Sequence, residues 1–594
     1  MRNLVSSLWI AAWCLLSAHA SRAGTCPEEI RGGWESQLPA RALFGTTIEI
    51  NVDADGTYQA RLHTSGSDED LAVWHDRRSL RMQSERLGFS FEGRPSGTGK
   101  TIDGFVAHSS SLYRVTLEAD GANRWSGAWS PFPIVADSVA LDLYFDDDGV
   151  GGTGGYFFFR DDRLPGLHGL GASCSGADVA LGEKNLGLTF RGAFDDDYSR
   201  LTMTVAAPGG ISQLVFTPMS AARRAMSPGA SDIAARNTAE AAYSGAAPRE
   251  AGDGWPVAAP ADRAVDTGPL GDLVDAVSRG DLPRTHSVML AKSGFLVFEE
   301  YFYGFGPDIT HDMRSASKSL ASTLIGLAVD RKLIGGPEDS VLSFFPDYRF
   351  YRNWDPRKAD ISIQNLMTMS SGLDANDSDR NSVAAESAYQ SQSAQADWVR
   401  LALDAPMIAD PGTRLIYGGA NPLILGGILH NVVSEPVEWF AEMALFRPLG
   451  IDTYKILMDP TGVPYMGGGM YLRPRDMLKI GQMYLDDGKW LGRQVLSASW
   501  VAKSFGKYGR LEPLERNGNE YGYLWWHENY TAGDSSIKSV EARGNGGQYI
   551  FVLPQLNAVA VITSGNYRAG LEMTRQPQRI VQAYLLPALL RRSR

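Results

Sequence analysis

The sequence lacks a surplus of positive charge. It holds 56 Lys and Arg residues against 68 Asp and Glu residues, which gives a net charge of -12 at pH 7. A general nucleic-acid-binding surface needs clustered cationic side chains, so this balance argues against a nucleic-acid partner. The remaining composition, 44% hydrophobic and 21% charged residues, is that of an ordinary globular protein.

Long apolar runs are also scarce. The run from Leu4 to Leu16 follows Arg2 and precedes the small-x-small triplet Ala18-His19-Ala20. This pattern is typical of a signal peptide, here expected to be residues 1–23, and it predicts export to the periplasm or the exterior. The run is shorter than the roughly 20 residues of a membrane span, and no later run is long enough. We therefore expect no integral membrane segment after cleavage.

Cysteine is rare, with three residues in the chain. Cys14 lies in the predicted signal, which leaves Cys26 and Cys174 in a compartment that permits disulfides. A disulfide between them and two unpaired thiols both fit the sequence, because pairing depends on a Cα separation that a sequence does not show.

Helical periodicity is hard to find between residues 24 and 220. The runs Thr47 to Val52 and Thr57 to Leu62 alternate apolar and polar residues around the turn Asp53 to Gly56, which predicts a hairpin. Similar units recur as far as Val205. We expect residues 24–220 to form an all-β barrel or sandwich.

The composition changes twice after this region. Residues 221–262 are rich in Ala, Pro and Gly, which is typical of a linker. Residues 263–590 mix helices with strands at both ends, such as Ser287 to Ala291 and Ala558 to Thr563. This order predicts an α/β domain with an antiparallel sheet, flanking helices and a helical subdomain, and hence a multidomain chain.

Two glycine-rich segments resemble nucleotide-binding loops without their context. Gly97 to Thr101 ends like a P-loop, but Arg94 stands where its first glycine is required, and Gly149 to Gly154 leads into an apparent strand instead of a helix. The acidic triplets Asp146 to Asp148 and Asp195 to Asp197 lack the spacing of a calcium loop and are interpreted as solvated turns. We therefore expect neither a cofactor nor a metal.

A histidine base for a serine nucleophile is not evident either. The nine histidines are scattered, and the chain has no Gly-x-Ser-x-Gly motif. A lysine can take that role, and Ser315 and Lys318 lie three residues apart at the start of a predicted helix, on one face. The spacing alone is weak evidence, because Ser535 and Lys538 repeat it in an apparent loop, and a helix N-cap followed by a solvated lysine also fits.

Six separated motifs in order strengthen this interpretation. Together they resemble the serine β-lactamase and penicillin-binding-protein superfamily, and within it the class C-related esterases and 6-aminohexanoate-dimer hydrolases. The resemblance covers roughly residues 254–590, and its motifs are Leu290–Phe302, Arg314–Ser319, Leu366–Leu373, Pro411–Thr413, Tyr521–Trp526 and Gly544–Gln548.

The resemblance implies the first two catalytic elements. Ser315 would be acylated, and Lys318 would assist proton transfer. Tyr417 matches the tyrosine of a Tyr-x-Asn or Tyr-x-Ser motif, but Gly419 replaces the polar third residue, and Asn421 is a candidate substitute.

The third element of the family carries over to Asn545, Gly546 and Gly547, which are expected to bind substrate. The backbone N–H of Gln548 would pair with that of Ser315 as the oxyanion hole. The neutral Asn545 stands where the family usually has a cationic or hydroxyl group, which argues against a β-lactamase.

These residues predict a serine hydrolase that cleaves a small-molecule ester or short amide. Two alternatives stay open: a D-amino-acid peptidase or β-lactamase acting on cell-wall-type substrates, and a non-catalytic binding protein with a degenerate hydrolase core. Gly419 and Asn545 keep the last alternative open. The sequence predicts no oligomeric state and no role for the β-domain.

Overall fold

The fold is that of a computed structural model. It describes residues 26–39, 46–63, 68–76, 78–85, 88–108, 111–121, 123–129, 138–147, 153–164, 170–183, 188–207, 210–224, 226, 233–236, 243–349, 352–379, 381–391, 397–512, 520–532, 535–567 and 574–590. The predicted signal peptide and residues 149–152 of the second glycine-rich segment lie outside these ranges. Within them, no helix is both long and apolar enough to cross a membrane.

Strands dominate the first part of the chain. They are β1 Gly32–Pro39, β2 Thr46–Val52, β3 Tyr58–His63, β4 Asp68–His75, β5 Leu80–Ser84, β6 Phe89–Pro95, β7 Thr101–His108, β8 Ser111–Ala119, β9 Arg124–Trp129, β10 Ser138–Asp147, β11 Thr153–Phe159, β12 Leu170–Ser175, β13 Asp178–Glu183, β14 Leu188–Phe194, β15 Leu201–Ala207 and β16 Gly210–Pro218. The hairpin predicted around Asp53 to Gly56 is confirmed as β2 and β3.

The described residues form two compact units. The first draws on Met1–Leu43, Ala136–Arg160 and Gly166–Ala230. Its strands close into an eight-stranded antiparallel barrel in the order β1-β10-β11-β12-β13-β14-β15-β16, followed by helix α1, Ala221–Arg224. The second unit contains Phe44–Val135, Asp161–Pro165 and Ser231–Arg594.

Alternation along each strand fills the interior of the first barrel with apolar side chains. Leu141, Phe157 and Phe190 are fully buried there. Cys26 and Cys174 are joined by a disulfide, which closes a long segment of the chain and restricts its unfolded state.

A second barrel forms from strands β2 to β9. These strands pair in sequence order, β9 also pairs with β2, and residues Glu118–Ala119 of β8 pair with Ser126–Trp125 of β9 to close the ring. Residues 24–220, expected as one domain, therefore contribute to two barrels in different units. Period-2 alternation is the same in both, so the sequence pattern does not separate them.

Strands and helices alternate in the rest of the second unit. The strands are β17 Thr285–Lys292, β18 Phe295–Tyr301, β19 His311–Asp312, β20 Tyr454–Leu457, β21 Met470–Leu472, β22 Lys489–Trp490, β23 Arg493–Gln494, β24 Gly509–Arg510, β25 Glu520–Tyr521, β26 Trp526–Ala532, β27 Ser535–Gly544, β28 Gln548–Leu553 and β29 Ala558–Ser564. The helices are α2 Thr267–Ser278, α3 Ser317–Asp330, α4 Ile363–Met367, α5 Glu386–Ser391, α6 Trp398–Leu403, α7 Ala420–Val432, α8 Val437–Ala441, α9 Pro474–Leu485, α10 Ala498–Ser504, α11 Gln576–Ile580 and α12 Leu586–Leu590.

The main sheet of this region is antiparallel and buried on both faces. Its order is β18-β17-β29-β28-β27-β26-β25-β24. Alternate residues of β17 enter different cores: Val288 and Leu290 pack with helices α2, α11 and α12, whereas Met289 and Ala291 join the core that contains α3 and α9. The nucleophile candidate Ser315 lies two residues before α3, and helices α4 to α8 form a helical region beside α3.

The end of the predicted linker is part of this region. Trp255 is buried in the same core as α3, its indole N–H donates to the carbonyl of Gly294 at 2.9 Å, and Val257 bridges to Leu296 on β18. An apolar anchor of this size binds the chain to the sheet before residue 263, where the sequence pattern placed the domain start.

The second barrel continues into the rest of the second unit through strand pairing. Strand β8 pairs with β20, β20 with β21, and β21 with β19, which ends at Asp312. This sheet therefore runs from the barrel to the residues that precede Ser315.

A buried charge cluster lies beside this junction. Arg114 on β8 is 2.8 Å from a carboxylate oxygen of Asp103 and 3.5 Å from one of Glu442. Glu442 also accepts a hydrogen bond from the Tyr454 hydroxyl at 2.7 Å and an ion pair from Arg447 at 3.2 Å. Removing one member leaves its partners charged in a low-dielectric setting.

We expect Arg114→Met to lower the free energy of unfolding of this unit by about 3–5 kcal/mol, because Glu442 and Asp103 lose their buried cation. The matched control is Arg124→Met, which removes a half-exposed ion pair with Glu49 in the same barrel. Urea titration at pH 7 compares them, and equal losses in the two variants would contradict the assignment of Arg114 as the buried anchor.

Candidate active site

Ser315 lies in a tight turn whose backbone is held from both sides. Residues Arg314–Ala316 form a short 3-10 helix that leads into α3. Arg314 has a φ of 49°, an uncommon conformation for a residue with a side chain. The Asp312 carboxylate accepts the Arg314 backbone N–H at 2.8 Å and pairs with its guanidinium, so the conformation is locally compensated.

The structure brings Lys318 and Tyr417 to this serine. The Lys318 Nζ donates to Ser315 Oγ at 2.9 Å and to the carbonyl oxygen of Gly467 at 2.6 Å. It also lies 5.0 Å from the ring centroid of Tyr417. Lys318 is 1% exposed, so it is a buried cation and not the solvated helix residue that the sequence also allowed.

The charge of Lys318 is set by opposing effects. Burial lowers the pKa of Lys318, but Tyr417, Glu386 and Asp377 outweigh burial and raise it above the ordinary lysine value. Burial and the neighbouring Glu386 in turn raise the pKa of Asp377 to about 7. Lys318 is therefore an ammonium in the resting site, beside two carboxyl groups.

Gly419 has a steric reason to lack a side chain. A Cβ at this position would lie 2.2 Å from the Tyr389 hydroxyl oxygen. The backbone N–H of Gly419 donates to Asp377 at 2.8 Å, and the Tyr389 hydroxyl lies 3.3 Å from that of Tyr465. The hydroxyl of Tyr389 thus occupies the space where the resemblance leads one to expect a polar side chain.

Asn421, the candidate substitute for that side chain, contacts Met369 instead. Its amide nitrogen lies 3.4 Å from the Met369 sulfur, and its amide oxygen is buried without a hydrogen-bond partner in the described part of the chain.

Four residues near Lys318 were missed by sequence reasoning: Asp377, Glu386, Tyr389 and Tyr465. Tyr465 donates to Glu386, whose backbone N–H donates to Asp377 at 2.8 Å. No sequence motif marks them, because the chain brings residues 377–389 and 465 together only through tertiary packing.

The third predicted element forms the turn between β27 and β28. Gly544 lies directly against the nucleophile turn, since a Cβ there would be 2.2 Å from the Met313 carbonyl oxygen. Asn545 is exposed at the tip of the turn, whereas Gly546 and Gly547 are buried.

Gln548 is fully buried at the start of β28. Its side chain donates to the Ser564 carbonyl oxygen at 2.5 Å and accepts the Ser564 N–H at 3.2 Å. These bonds attach the end of the turn to β29, which fixes the backbone at residue 548.

The two adjacent tryptophans of the motif at 521–526 have different environments. Trp525 is fully buried, with its ring 4.7 Å from Tyr484. Trp526 is partly exposed, lies 5.5 Å from the Tyr417 ring, and has the Arg543 guanidinium 5.0 Å above it. Of these two tryptophans, Trp526 is therefore the one beside the candidate site.

The second Ser-x-x-Lys copy differs in structure from the first. Ser535 and Lys538 lie on strand β27, not in a loop, and both are exposed. Residues three apart on a strand point to opposite faces, so the two side chains do not meet.

We expect Gly419→Ala to lower the free energy of unfolding by about 1–3 kcal/mol, because the new methyl group overlaps the Tyr389 hydroxyl. Adding Tyr389→Phe removes that oxygen and should recover part of the loss. Gly336→Ala is the control, since a Cβ there meets no atom within 4 Å. Thermal unfolding of the wild type, the two single variants, the double variant and the control measures the coupling, and strict additivity would contradict the contact.

The second half of the chain is similar to known proteins. The Beta-lactamase family model matches residues 284–583, half of the chain. A 6-aminohexanoate-dimer hydrolase of Paenarthrobacter ureafaciens is 26% identical over 307 residues, covering 49% of this chain and 74% of that protein.

Two further relatives cover less or are more distant. A putative D-alanyl-D-alanine carboxypeptidase of Escherichia coli K12 is 24% identical over 145 residues, 24% of this chain and 32% of that protein. The solved structure of a putative 6-aminohexanoate-dimer hydrolase from Bacillus anthracis is 19% identical with a TM-score of 0.44, covering 53% of this chain and 82% of that one. From the family match, the chain belongs to the beta-lactamase family, whose members are hydrolases with a serine nucleophile.

Proposed function

We propose that this protein cleaves an ester or a short amide through an acyl-enzyme on Ser315. The observation that carries the proposal is the 2.9 Å hydrogen bond from the buried Lys318 ammonium to Ser315 Oγ, with Tyr417 beside it. A serine hydroxyl needs such a partner to attack a carbonyl carbon near neutral pH.

The proton path follows from the charge of Lys318. With Asp377 and Glu386 nearby, Lys318 stays positive, so it serves as a cation and not as the base. The Tyr417 oxygen takes the Ser315 proton as the bond between Oγ and the carbonyl carbon forms, while the phenolic proton of Tyr417 is donated towards the leaving-group oxygen or nitrogen. The alcohol or amine leaves with that proton as the scissile bond breaks, and water hydrolyses the acyl-enzyme.

The oxyanion of the tetrahedral intermediate needs fixed donors. We assign the backbone N–H groups of Ser315 and Gln548 to this role. Two structural features support the assignment: Ser315 lies two residues before the start of helix α3, whose N-terminal dipole favours negative charge, and Gln548 is hydrogen-bonded to Ser564.

The substrate class is supported by the exposed tip of the turn. Asn545 carries no charge, and Asn545, Gly546 and Gly547 offer no cationic group for a substrate carboxylate. The match to a relative named as a 6-aminohexanoate-dimer hydrolase agrees with this choice. A D-amino-acid peptidase is the second candidate, because another relative is named as a putative D-alanyl-D-alanine carboxypeptidase.

A location outside the cytoplasm is part of the proposal. The Cys26–Cys174 disulfide supports it, because disulfides persist in oxidising compartments.

Fluorophosphonate labelling followed by peptide mapping should find the label on Ser315 and no label in Ser315→Ala. The control is Ser535→Ala, which removes the serine of the second Ser-x-x-Lys copy and should leave labelling unchanged. Label that persists in Ser315→Ala would refute the nucleophile assignment.

Lys318→Met should lower turnover of a p-nitrophenyl ester by about 100- to 10,000-fold, since proton transfer loses its cation. Lys538→Met is the matched control and should keep full activity.

A panel of ester, peptide and β-lactam substrates with both variants identifies the substrate class. If the wild-type protein hydrolyses none of them, the non-catalytic alternative is favoured.

A further inference from the structure

A chain of hydrogen-bonding groups lies behind the nucleophile turn. Asp162 Oδ2 is 3.2 Å from His286 Nε2, and His286 Nδ1 is 2.8 Å from His311 Nε2. His311 Nδ1 is in turn 3.2 Å from the carbonyl oxygen of Asp312. Two imidazole rings thus lie between a carboxylate and the backbone three residues before Ser315.

The two rings are sealed from water. Phe305 stacks on His286 at 4.2 Å and on His311 at 5.3 Å. On another side, a Cβ at Gly565 would lie 2.7 Å from the His286 ring. Burial lowers the pKa of His286 and lowers that of His311 to about 3, so both rings are neutral at pH 7.

This pKa shift also fixes the sign of the pH effect. Histidines of the unfolded chain bind protons near pH 6.5, whereas these two do not. The pair therefore contributes stability above pH 6.5 that is lost as the pH falls below that value.

The two neutral rings carry one N–H proton each, and these two protons serve three contacts: Asp162 with His286, His286 with His311, and His311 with Asp312. In one arrangement both rings carry hydrogen on Nε2: His286 donates to Asp162, His311 donates to His286, and His311 Nδ1 faces the Asp312 carbonyl without a proton. In the other, both rings carry hydrogen on Nδ1, and a bare His286 Nε2 faces the Asp162 carboxylate.

The charge of Asp162 decides between these arrangements. Burial raises the pKa of its carboxyl group, but Arg284, 2.7 Å away, and His286 lower it below the ordinary value. An ionised carboxylate is a stronger acceptor than a carbonyl and repels a bare nitrogen more strongly. The Nε2–H arrangement of both rings is therefore favoured.

The other charged groups around the rings are paired. Asp161 binds Arg163 at 2.6 Å, and Asp312 binds Arg314 at 2.8 Å. Tyr303, 6.0 Å from the His286 ring, accepts the backbone N–H of Arg284. Asp162 is thus the charged group in direct contact with a ring.

We propose that Asp162 fixes His286 and His311 as Nε2–H tautomers and, through His311 and Asp312, positions the turn that carries Ser315. The last link is short, because His311 and Asp312 form β19 and the Asp312 carboxylate holds the Arg314 N–H. The tautomer assignment is independent of the proposed function, whereas the effect on Ser315 rests on it.

Asp162→Asn is the informative substitution. Its amide oxygen keeps the acceptor for Arg284, and its amide nitrogen donates to His286 Nε2. Both rings then change to the Nδ1–H tautomer, so that the amide proton and the two ring protons satisfy all three contacts. The variant therefore gains a hydrogen bond from His311 Nδ1 to the Asp312 carbonyl oxygen that the wild-type arrangement lacks.

Nitrogen-15 NMR of histidine-labelled full-length protein at pH 7.5 reads the tautomers directly. Scalar coupling across the N–H···N bond identifies the pair without substitution of either ring. We expect Nε2–H on both rings in the wild type and Nδ1–H on both in Asp162→Asn. Wild-type rings with Nδ1–H, or doubly protonated, would overturn the assignment even if the variant failed to fold.

The second readout is the rate constant of fluorophosphonate labelling. In Asp162→Asn, His311 donates to the Asp312 carbonyl and displaces the turn, so we expect labelling about tenfold slower, as small misplacements of a nucleophile are costly. Asp161→Asn is the control and should change neither tautomers nor rate.

The outcomes separate the two proposals. A tautomer change without a rate change would refute the positioning role and leave the tautomer assignment standing. Label on a residue other than Ser315 would refute the proposed function and leave the NMR result unaffected.

Discussion

The buried ammonium of Lys318 is the constraint on which the rest of the site depends. A cation removed from water must be compensated by nearby acceptors and charges. Here the compensation comes from Ser315 Oγ, the Gly467 carbonyl and the carboxyl groups of Asp377 and Glu386. The acidic cluster is therefore part of the site's electrostatic balance, even though no motif marks it.

That compensation requires two backbone segments to meet at one point. Gly467 precedes β21, and Ser315 follows β19, and these two strands pair with each other. Because β21 also pairs with β20 and β20 with β8, the second barrel belongs to the same sheet. The fold thus gives this barrel a structural connection to the turn that carries Ser315, which its sequence pattern does not suggest.

The sequence predicts the parts of this architecture that depend on local pattern. Alternation predicts strands, and the spacing of Ser315 and Lys318 predicts a shared helical face. The sequence does not predict which strands pair with each other. Strand β8 pairs with β20 across more than 300 residues of chain, and the strands of both barrels show the same alternation of apolar and polar residues. The buried ring pair of His286 and His311 was equally invisible, because 24 residues separate the two and their partner Asp162 is far away in sequence.

Gly419 shows how a departure from a family pattern can preserve a site. In the sequence alone, Gly419 stands in place of a polar residue, which favours the interpretation of a degenerate hydrolase core. In the structure, the Tyr389 hydroxyl fills that space, 2.2 Å from where a Cβ would stand, and is itself close to Tyr465. A side chain at 419 and the hydroxyl of Tyr389 exclude each other, so the loss of one is linked to the presence of the other. Asn545 differs, because it is exposed and its side chain carries no charge. The departure at Gly419 therefore concerns how the site is built, whereas the departure at Asn545 changes the charge that the turn presents to solvent.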